Sequence, residues 1–318
     1  MTDNEEQIPT KEKKGGGAVN FLADILRGAA IGVAFIIPGF SGGSVAAILG
    51  IYEKLVNAIA DFFKTFKKSL FTLLPIAIGM LLGIAALIFP IKWGLAHYPI
   101  PTVSLFVGLA LGGLPSVTDK VKGKPTAWQI VSLVVALGVA ASLSFLPLAG
   151  EVDLFALEWW GYLLLIVIGA VGSCALVVPG ISGSMLLLIF GYYNPVVRLV
   201  TENLVRGSEV GTCILVLLCL GVGVIAGFFA ISVLMKFLLK RYPKATYFAI
   251  IGFIAGSVPA VYASTVRDCS EGLSALYSSP AYWVVSVILL LIGLGLSLLL
   301  VRYAKTRENK GKIQSEET

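Results

Sequence analysis

Apolar residues fill this chain in long blocks, and short polar segments interrupt them at nearly regular intervals. Uncharged runs such as Ser69–Ile91 and Thr212–Met235 are long enough, at about 1.5 Å per helical residue, to cross about 30 Å of hydrocarbon. The pattern predicts spans at about 70–90, 102–117 and 126–148, and again at about 212–235, 246–264 and 281–301. Four shorter apolar limbs, at about 19–37, 44–62, 161–178 and 184–200, come in two pairs. At 17 to 19 residues each limb reaches only about 26–28 Å. Each pair is therefore read as a re-entrant hairpin, two full crossings being the alternative; either way the chain returns to the side it entered from.

The two limbs of each pair are joined by one pattern, Pro-Gly-x-Ser-Gly. It reads Pro38-Gly39-Phe40-Ser41-Gly42-Gly43-Ser44 in the first pair and Pro179-Gly180-Ile181-Ser182-Gly183-Ser184 in the second. Proline and paired glycines are the poorest residues for continuing a helix. A break at membrane depth frees backbone N–H and C=O groups that lipid cannot satisfy. Matching breaks in two halves of a chain point to a polar binding site near the bilayer midplane.

The halves are copies of one unit. Between Pro38–Tyr52 and Pro179–Tyr193, 141 residues apart, seven of fifteen positions are identical: Pro38/Pro179, Gly39/Gly180, Ser41/Ser182, Gly42/Gly183, Ile48/Ile189, Gly50/Gly191 and Tyr52/Tyr193. At a spacing of 144, Gly79, Gly83, Tyr98, Pro99, Gly108, Gly112 and Pro115 match Gly223, Gly227, Tyr242, Pro243, Gly252, Gly256 and Pro259. A returning hairpin plus three crossings is an odd total, so the second unit is inverted relative to the first. The expected architecture is an all-α polytopic membrane protein of two inverted-topology repeats, each a broken-helix (re-entrant) hairpin followed by three transmembrane helices. Residues 19–150 form repeat 1 and residues 151–304 repeat 2.

Charge agrees with this topology. The net charge of +6 comes from Lys and Arg clustered in short segments: Lys64, Lys67 and Lys68, then Lys120, Lys122 and Lys124, then Lys236, Lys240, Arg241 and Lys244. The alternate segments hold Glu151, Asp153 and Glu158, then Glu202 and Glu209, then Asp268 and Glu271. Under the positive-inside rule both termini are cytoplasmic. Residues 1–18 read as a disordered cytosolic tail and 305–318 as a second polar cytosolic tail. This distribution needs no nucleic acid to explain it. One histidine, His97, and cysteines without a Cys-x-x-Cys spacing (Cys174, Cys213, Cys219, Cys269) give no metal-ligand pattern, and no cofactor is expected. No phosphate-binding Gly-x-x-x-x-Gly-Lys loop or membrane-depth carboxylate/His/Lys cluster is present, which weighs against an ATPase or a membrane hydrolase.

The chemistry that the breaks offer is anion binding. The second limb of each hairpin starts near Ser44 or Ser184, with unpaired N–H groups and the positive helix end facing the break. Gly39, Gly42, Gly43, Gly180 and Gly183 allow close backbone approach, and Ser41, Ser44, Ser182 and Ser184 add hydroxyl donors. Of the ionisable residues, Asp24 and Arg27 lie three apart on one helix face and can pair. Arg27 and Arg198 are placed to attract an anion from the two sides, and Glu53, with Asp24 as an alternative, is the expected titrating or coupling group.

The segments IIPGFSGGSVAAILGIYEKLVNAI and LVVPGISGSMLLLIFGYYNPVVRLV resemble the two signature segments of the PopT family of polyprenyl-phosphate translocases, formerly a domain of unknown function. The resemblance covers about residues 20–303. It implies return of undecaprenyl phosphate, the lipid carrier of cell-wall and surface glycans, from the outer to the cytoplasmic leaflet of a bacterial plasma membrane. It also implies a polyprenyl phosphate lipid as the binding partner. The slot three residues before the first motif proline is often acidic in that family and here holds Phe35, which moves attention to Glu53. A transporter or channel for a small soluble anion is the alternative reading of the same anion site. The double substitution Ser41→Ala with Ser182→Ala is expected to lower transport while the protein stays folded and inserted, as measured by transport in reconstituted vesicles beside a melting curve.

Overall fold

The computed structural model describes residues 17–37, 41–121, 123–143, 146, 149–205, 207–268 and 277–316. Residues 1–16 of the expected N-terminal tail, together with Pro38, Gly39, Lys122, Cys269 and Glu271, lie outside these described residues, and the last two residues of that tail, 17 and 18, begin the first helix. Helices α1 (Gly17–Ala34), α2 (Gly42–Ile48), α3 (Tyr52–Ala60), α4 (Phe66–His97), α5 (Pro99–Thr118) and α6 (Ala127–Ser142) make up the first half. In the second half are α7 (Trp159–Val177), α8 (Gly183–Ile189), α9 (Tyr193–Arg198), α10 (Val210–Arg241), α11 (Pro243–Asp268) and α12 (Pro280–Glu316). Six of these helices are long and apolar enough to cross a membrane, and α8 with the helical stretch Tyr193–Leu204 forms one pair bent by 110°.

Three boundaries differ from expectation. The second limb of each hairpin is two short helices, not one. In the first, Gly50 turns left-handed at φ +70; its N–H bonds Ala47 O at 3.1 Å and the Ile51 N–H bonds Ala46 O at 3.0 Å. In the second, Gly191 at φ +76 does the same, with Gly191 N to Leu188 O at 3.0 Å and Tyr192 N to Leu187 O at 2.9 Å. This crossed pair of bonds closes a helix end and needs a residue without Cβ at the turn. The expected span at 126–148 is shorter, because α6 stops at Ser142, whose hydroxyl bonds back to Val139 O at 2.9 Å. Past residue 304 the polar segment continues α12 as helix.

The helices associate through small residues. α1 lies along α4 and α7 along α10, while α5 lies along α12 and α6 along α11. The last two pairings join opposite halves. Exchanging the halves turns each pairing into another one, so both halves use one packing scheme. The matched glycines explain it. Gly79 and Gly83 of α4 sit against the backbone of Ile25 and Ala29, as Gly223 and Gly227 of α10 sit against Ile166 and Ala170. Gly108 and Gly112 of α5 meet Leu290 and Leu294 of α12, as Gly252 and Gly256 of α11 meet Leu133 and Leu137 of α6. Glycine pairs four apart let helix backbones touch, which is where dispersion and weak polar contacts hold helices together in lipid.

Half or more of the best apolar window of α5 and of α11 is buried, against about a fifth for α4, α10 and α12. The outer helices turn side chains such as Phe71, Leu81, Ile225 and Leu299 outward, the surface a hydrocarbon solvent requires. The same Gly-to-Ala change should then have opposite effects at two sites. Gly223→Ala drives a methyl into Ile166 O and is expected to cost about 1–3 kcal/mol by overpacking. At Gly138, where the added carbon meets nothing within 4 Å, the change is expected to stabilise by up to about 1 kcal/mol. Melting of the detergent-solubilised protein checks both.

Candidate functional site

The two Pro-Gly-x-Ser-Gly segments meet. Ser41, buried at the start of α2, donates its hydroxyl to Ala175 O at 3.2 Å and Val178 O at 3.4 Å. Both are carbonyls from the last turn of α7, directly before Pro179. Tyr52, buried at the start of α3, donates its hydroxyl to Val177 O at 3.0 Å. A carbon added to Gly43 would lie 3.0 Å from Val177 O and 3.3 Å from Pro179 N. The reason is local. A helix that ends at a proline leaves its last carbonyls without N–H partners, and hairpin 1 supplies hydroxyls to them.

This changes the role of Ser41. It was expected to face a ligand, but its proton is held by the carbonyls of α7. Ser182 is differently placed: its hydroxyl pairs with that of Ser184 at 3.0 Å. A hydroxyl carries one proton and two acceptor pairs, so two hydroxyls that share one bond keep one O–H to offer. Gly42, Gly43 and Ser44 are buried, while Gly183 and Ser184 are half-buried. Gly180 adopts φ +82 and sits against the backbone of Phe253 in α11. Gly39 is outside the described residues.

Two cavities reach the junction. A groove of about 590 Å³ is lined by Trp128 of α6, Met235 and Tyr242 at the end of α10, Ile250 and Phe253 of α11, and Pro179. Of these, Trp128 and Tyr242 are exposed. A second cavity of about 330 Å³ is bounded by Phe35, Gly42, Gly43, Tyr52 and Val177 among others. Phe35, where an acidic residue was a family expectation, thus presents a ring to this cavity.

The ionisable residues sort differently from expectation. Glu53 is exposed, not buried; it accepts a hydrogen bond from the Tyr247 hydroxyl of α11. Asp24 is the buried carboxylate, with a side chain only 7% exposed. It holds Arg27 at 3.0 Å, the expected pair, and also Lys54 of α3 at 2.6 Å. Arg198 is exposed and paired with Glu151, which Asn194 also bonds at 3.0 Å. Those two hydrogen bonds, that of Arg198 first, hold the Glu151 carboxyl below its ordinary range. A depressed value means that the pair is present above the ordinary carboxylate range and is lost as pH falls below it. Lys236 of α10 pairs with Asp61.

Tyr52, Tyr247 and Lys54 were missed as site residues. The signal for Tyr52 was its identity with Tyr193. Nothing in the sequence marks Tyr247 or Lys54, because their partners lie 194 and 30 residues away.

A family model described as VCA0040-like, undecaprenyl phosphate translocase-like, matches residues 31–273. The polyprenyl-phosphate transporter of Vibrio cholerae serotype O1 is 28% identical over 326 residues, covering 91% of this chain and 99% of that protein. The polyprenyl-phosphate transporter of Staphylococcus aureus is 33% identical over 293 residues, covering 90% and 98%. No solved structure matches the chain.

The two carboxylates should differ in worth. Asp24→Ala removes a buried partner of two half-exposed cations and is expected to cost more than the ~1 kcal/mol of an exposed pair but less than the ~3–5 kcal/mol of a fully buried one. Glu151→Ala, at an exposed pair, is expected to leave the melting temperature nearly unchanged; parallel melts compare them.

Proposed function

The chain belongs to the undecaprenyl phosphate translocase-like family, and on that premise we propose that it carries a polyprenyl phosphate across the bilayer, its phosphate received where the two broken-helix segments meet. The observation that carries this reading is the contact of Ser41 and Gly43 with Ala175–Pro179, a segment whose Val178 and Pro179 line a groove beside α11. An anionic headgroup in hydrocarbon is strongly disfavoured unless fixed dipoles replace its hydration. Backbone N–H groups at Gly43 and around Ser184, together with the hydroxyl proton left over at Ser182 and Ser184, are the donors in this scheme. Ser41 and Tyr52 hold the frame. The prenyl tail stays in lipid beside the groove.

In this reading the two halves are inverted repeats, which the exchanged helix pairing supports. Both termini and the Lys-rich ends are cytoplasmic, so the groove between Trp128 and Tyr242 opens towards the cytoplasm. The two hairpins alternate around one phosphate and return the carrier from the outer to the cytoplasmic leaflet of the plasma membrane, for reuse in cell-wall and surface-glycan synthesis. Arg27 and Lys54, shared on Asp24, exchange that carboxylate for the incoming phosphate on the cytoplasmic side. Arg198 does the same from Glu151 on the external side. Asp24 takes the coupling role first given to Glu53.

Cells lacking the protein, with no other translocase present, are expected to expose more undecaprenyl phosphate to an externally added phosphate-binding agent. Wild-type protein restores the low level. Gly43→Leu, whose side chain presses into Val177 and Pro179, inserts but does not restore it. Unchanged exposure, together with transport that soluble phosphate saturates, would replace this reading with a small-anion transporter.

A further inference from the structure

Ser41 and Tyr52 have counterparts, Ser182 and Tyr193, at the spacing of 141 residues. The correspondence is structural as well: Ser41 and Ser182 each precede the first residue of a seven-residue helix. Tyr52 and Tyr193 each open the next helix, two residues after a left-handed glycine. Yet their partners differ. Ser41 and Tyr52 reach across to the α7 end at Ala175, Val177 and Val178. The corresponding carbonyls at the α1 end are those of Ala34, Ile36 and Ile37. Ser182 bonds Ser184 instead, and Tyr193 is half-buried where Tyr52 is buried.

We propose that these are two alternative latches: Tyr52 and Ser41 on the α7 end hold the conformation seen here, and Tyr193 and Ser182 on the α1 end hold the opposite one. The proposal deepens the transport reading above and rests on it. Both latches satisfy carbonyls that a broken helix leaves bare, and a buried carbonyl without a partner is costly. At the α1 end Ala34 O, the counterpart of Ala175 O, accepts a long local bond from Ile37 N at 3.4 Å, which a hydroxyl can supplement. Glu53 with Tyr247 and Asp61 with Lys236 fasten α3 and the turn after it to α11 and α10 in this conformation. Hairpin 2 is instead tied to the segment before α7: Ala149 N bonds Ile189 O at 2.9 Å and Val152 N bonds Gly191 O at 3.1 Å. Tyr193 and Ser182 are thus positioning residues for the α1 end, not engaged with it in this conformation and engaged in the other.

The test uses the full chain in vesicles of bacterial phospholipid containing undecaprenyl phosphate, with Cys174, Cys213, Cys219 and Cys269 replaced by Ala. Reporter cysteines go at Ala249, which lines the groove, and separately at its repeat counterpart Leu105. Each is labelled with a soluble maleimide. Removing one net hydrogen bond of ordinary strength shifts a two-state equilibrium about fivefold. Tyr52→Phe is expected to slow labelling at 249 and speed it at 105 by about that factor, and Tyr193→Phe to do the reverse. A purely structural role would lower the melting temperature without opposite shifts. Ser41→Ala and Ser182→Ala repeat the comparison should either tyrosine variant melt early. Shifts in the same direction, or none in folded protein, overturn the latches. If wild-type protein moves undecaprenyl phosphate but the labels do not shift, the latches fail and the transport reading stands. Opposite shifts without lipid movement leave the latches standing and sink the transport reading.

Discussion

A backbone group freed at membrane depth has no water to turn to, and this structure is arranged around that constraint. The chain breaks its helices at proline and glycine and then finds a partner within the protein for what the breaks expose. At Gly50 and Gly191 the partner is local, because a left-handed glycine folds its own N–H and the next one back onto the helix. At the end of α7 the partner is remote: Ser41 and Tyr52 bring hydroxyls from the other half of the chain. The contact between halves and the capping of a broken helix are therefore one interaction.

The helices around this centre are held by a different device. In lipid, apolar side chains gain little by leaving their surroundings, so association rests on close backbone contact. The glycine pairs at 79/83, 108/112, 223/227 and 252/256 each press one backbone against another. Two of the four pairings join helices of opposite halves, so neither half completes its own bundle. The central α5 and α11 carry the reciprocal contacts, and the junction sits between hairpin 1, α7 and α11.

Charge is sparse, and four ion pairs form among the described residues. Asp24 is buried because Arg27 and Lys54 both reach it; a lone carboxylate there would be strongly disfavoured. Arg198 and Glu151, by contrast, meet in the exposed segment before α7 and hairpin 2, where solvent weakens the attraction. The motif junction itself is joined by hydroxyls and backbone carbonyls.

The sequence by itself determined the helical membrane class, the two related halves, the position of both breaks and the pairing of Asp24 with Arg27. Those properties follow from local composition: apolar run length, proline and glycine chemistry, and spacing along one helix. The family resemblance was legible too, because the motif carries it over consecutive residues. The fate of each polar group was decided only by the tertiary structure. Ser41 donates to the carbonyls at the end of α7, Glu53 is exposed and bonded to Tyr247, and Asp24 gathers Lys54 from another helix. Each outcome depends on a partner between 30 and 194 residues away, and no local pattern encodes which distant donor meets which acceptor. The second break at Gly50 and Gly191 stood between the two. The repeated glycine was visible, but its left-handed turn became evident only once the two crossed hydrogen bonds that close the helix were seen.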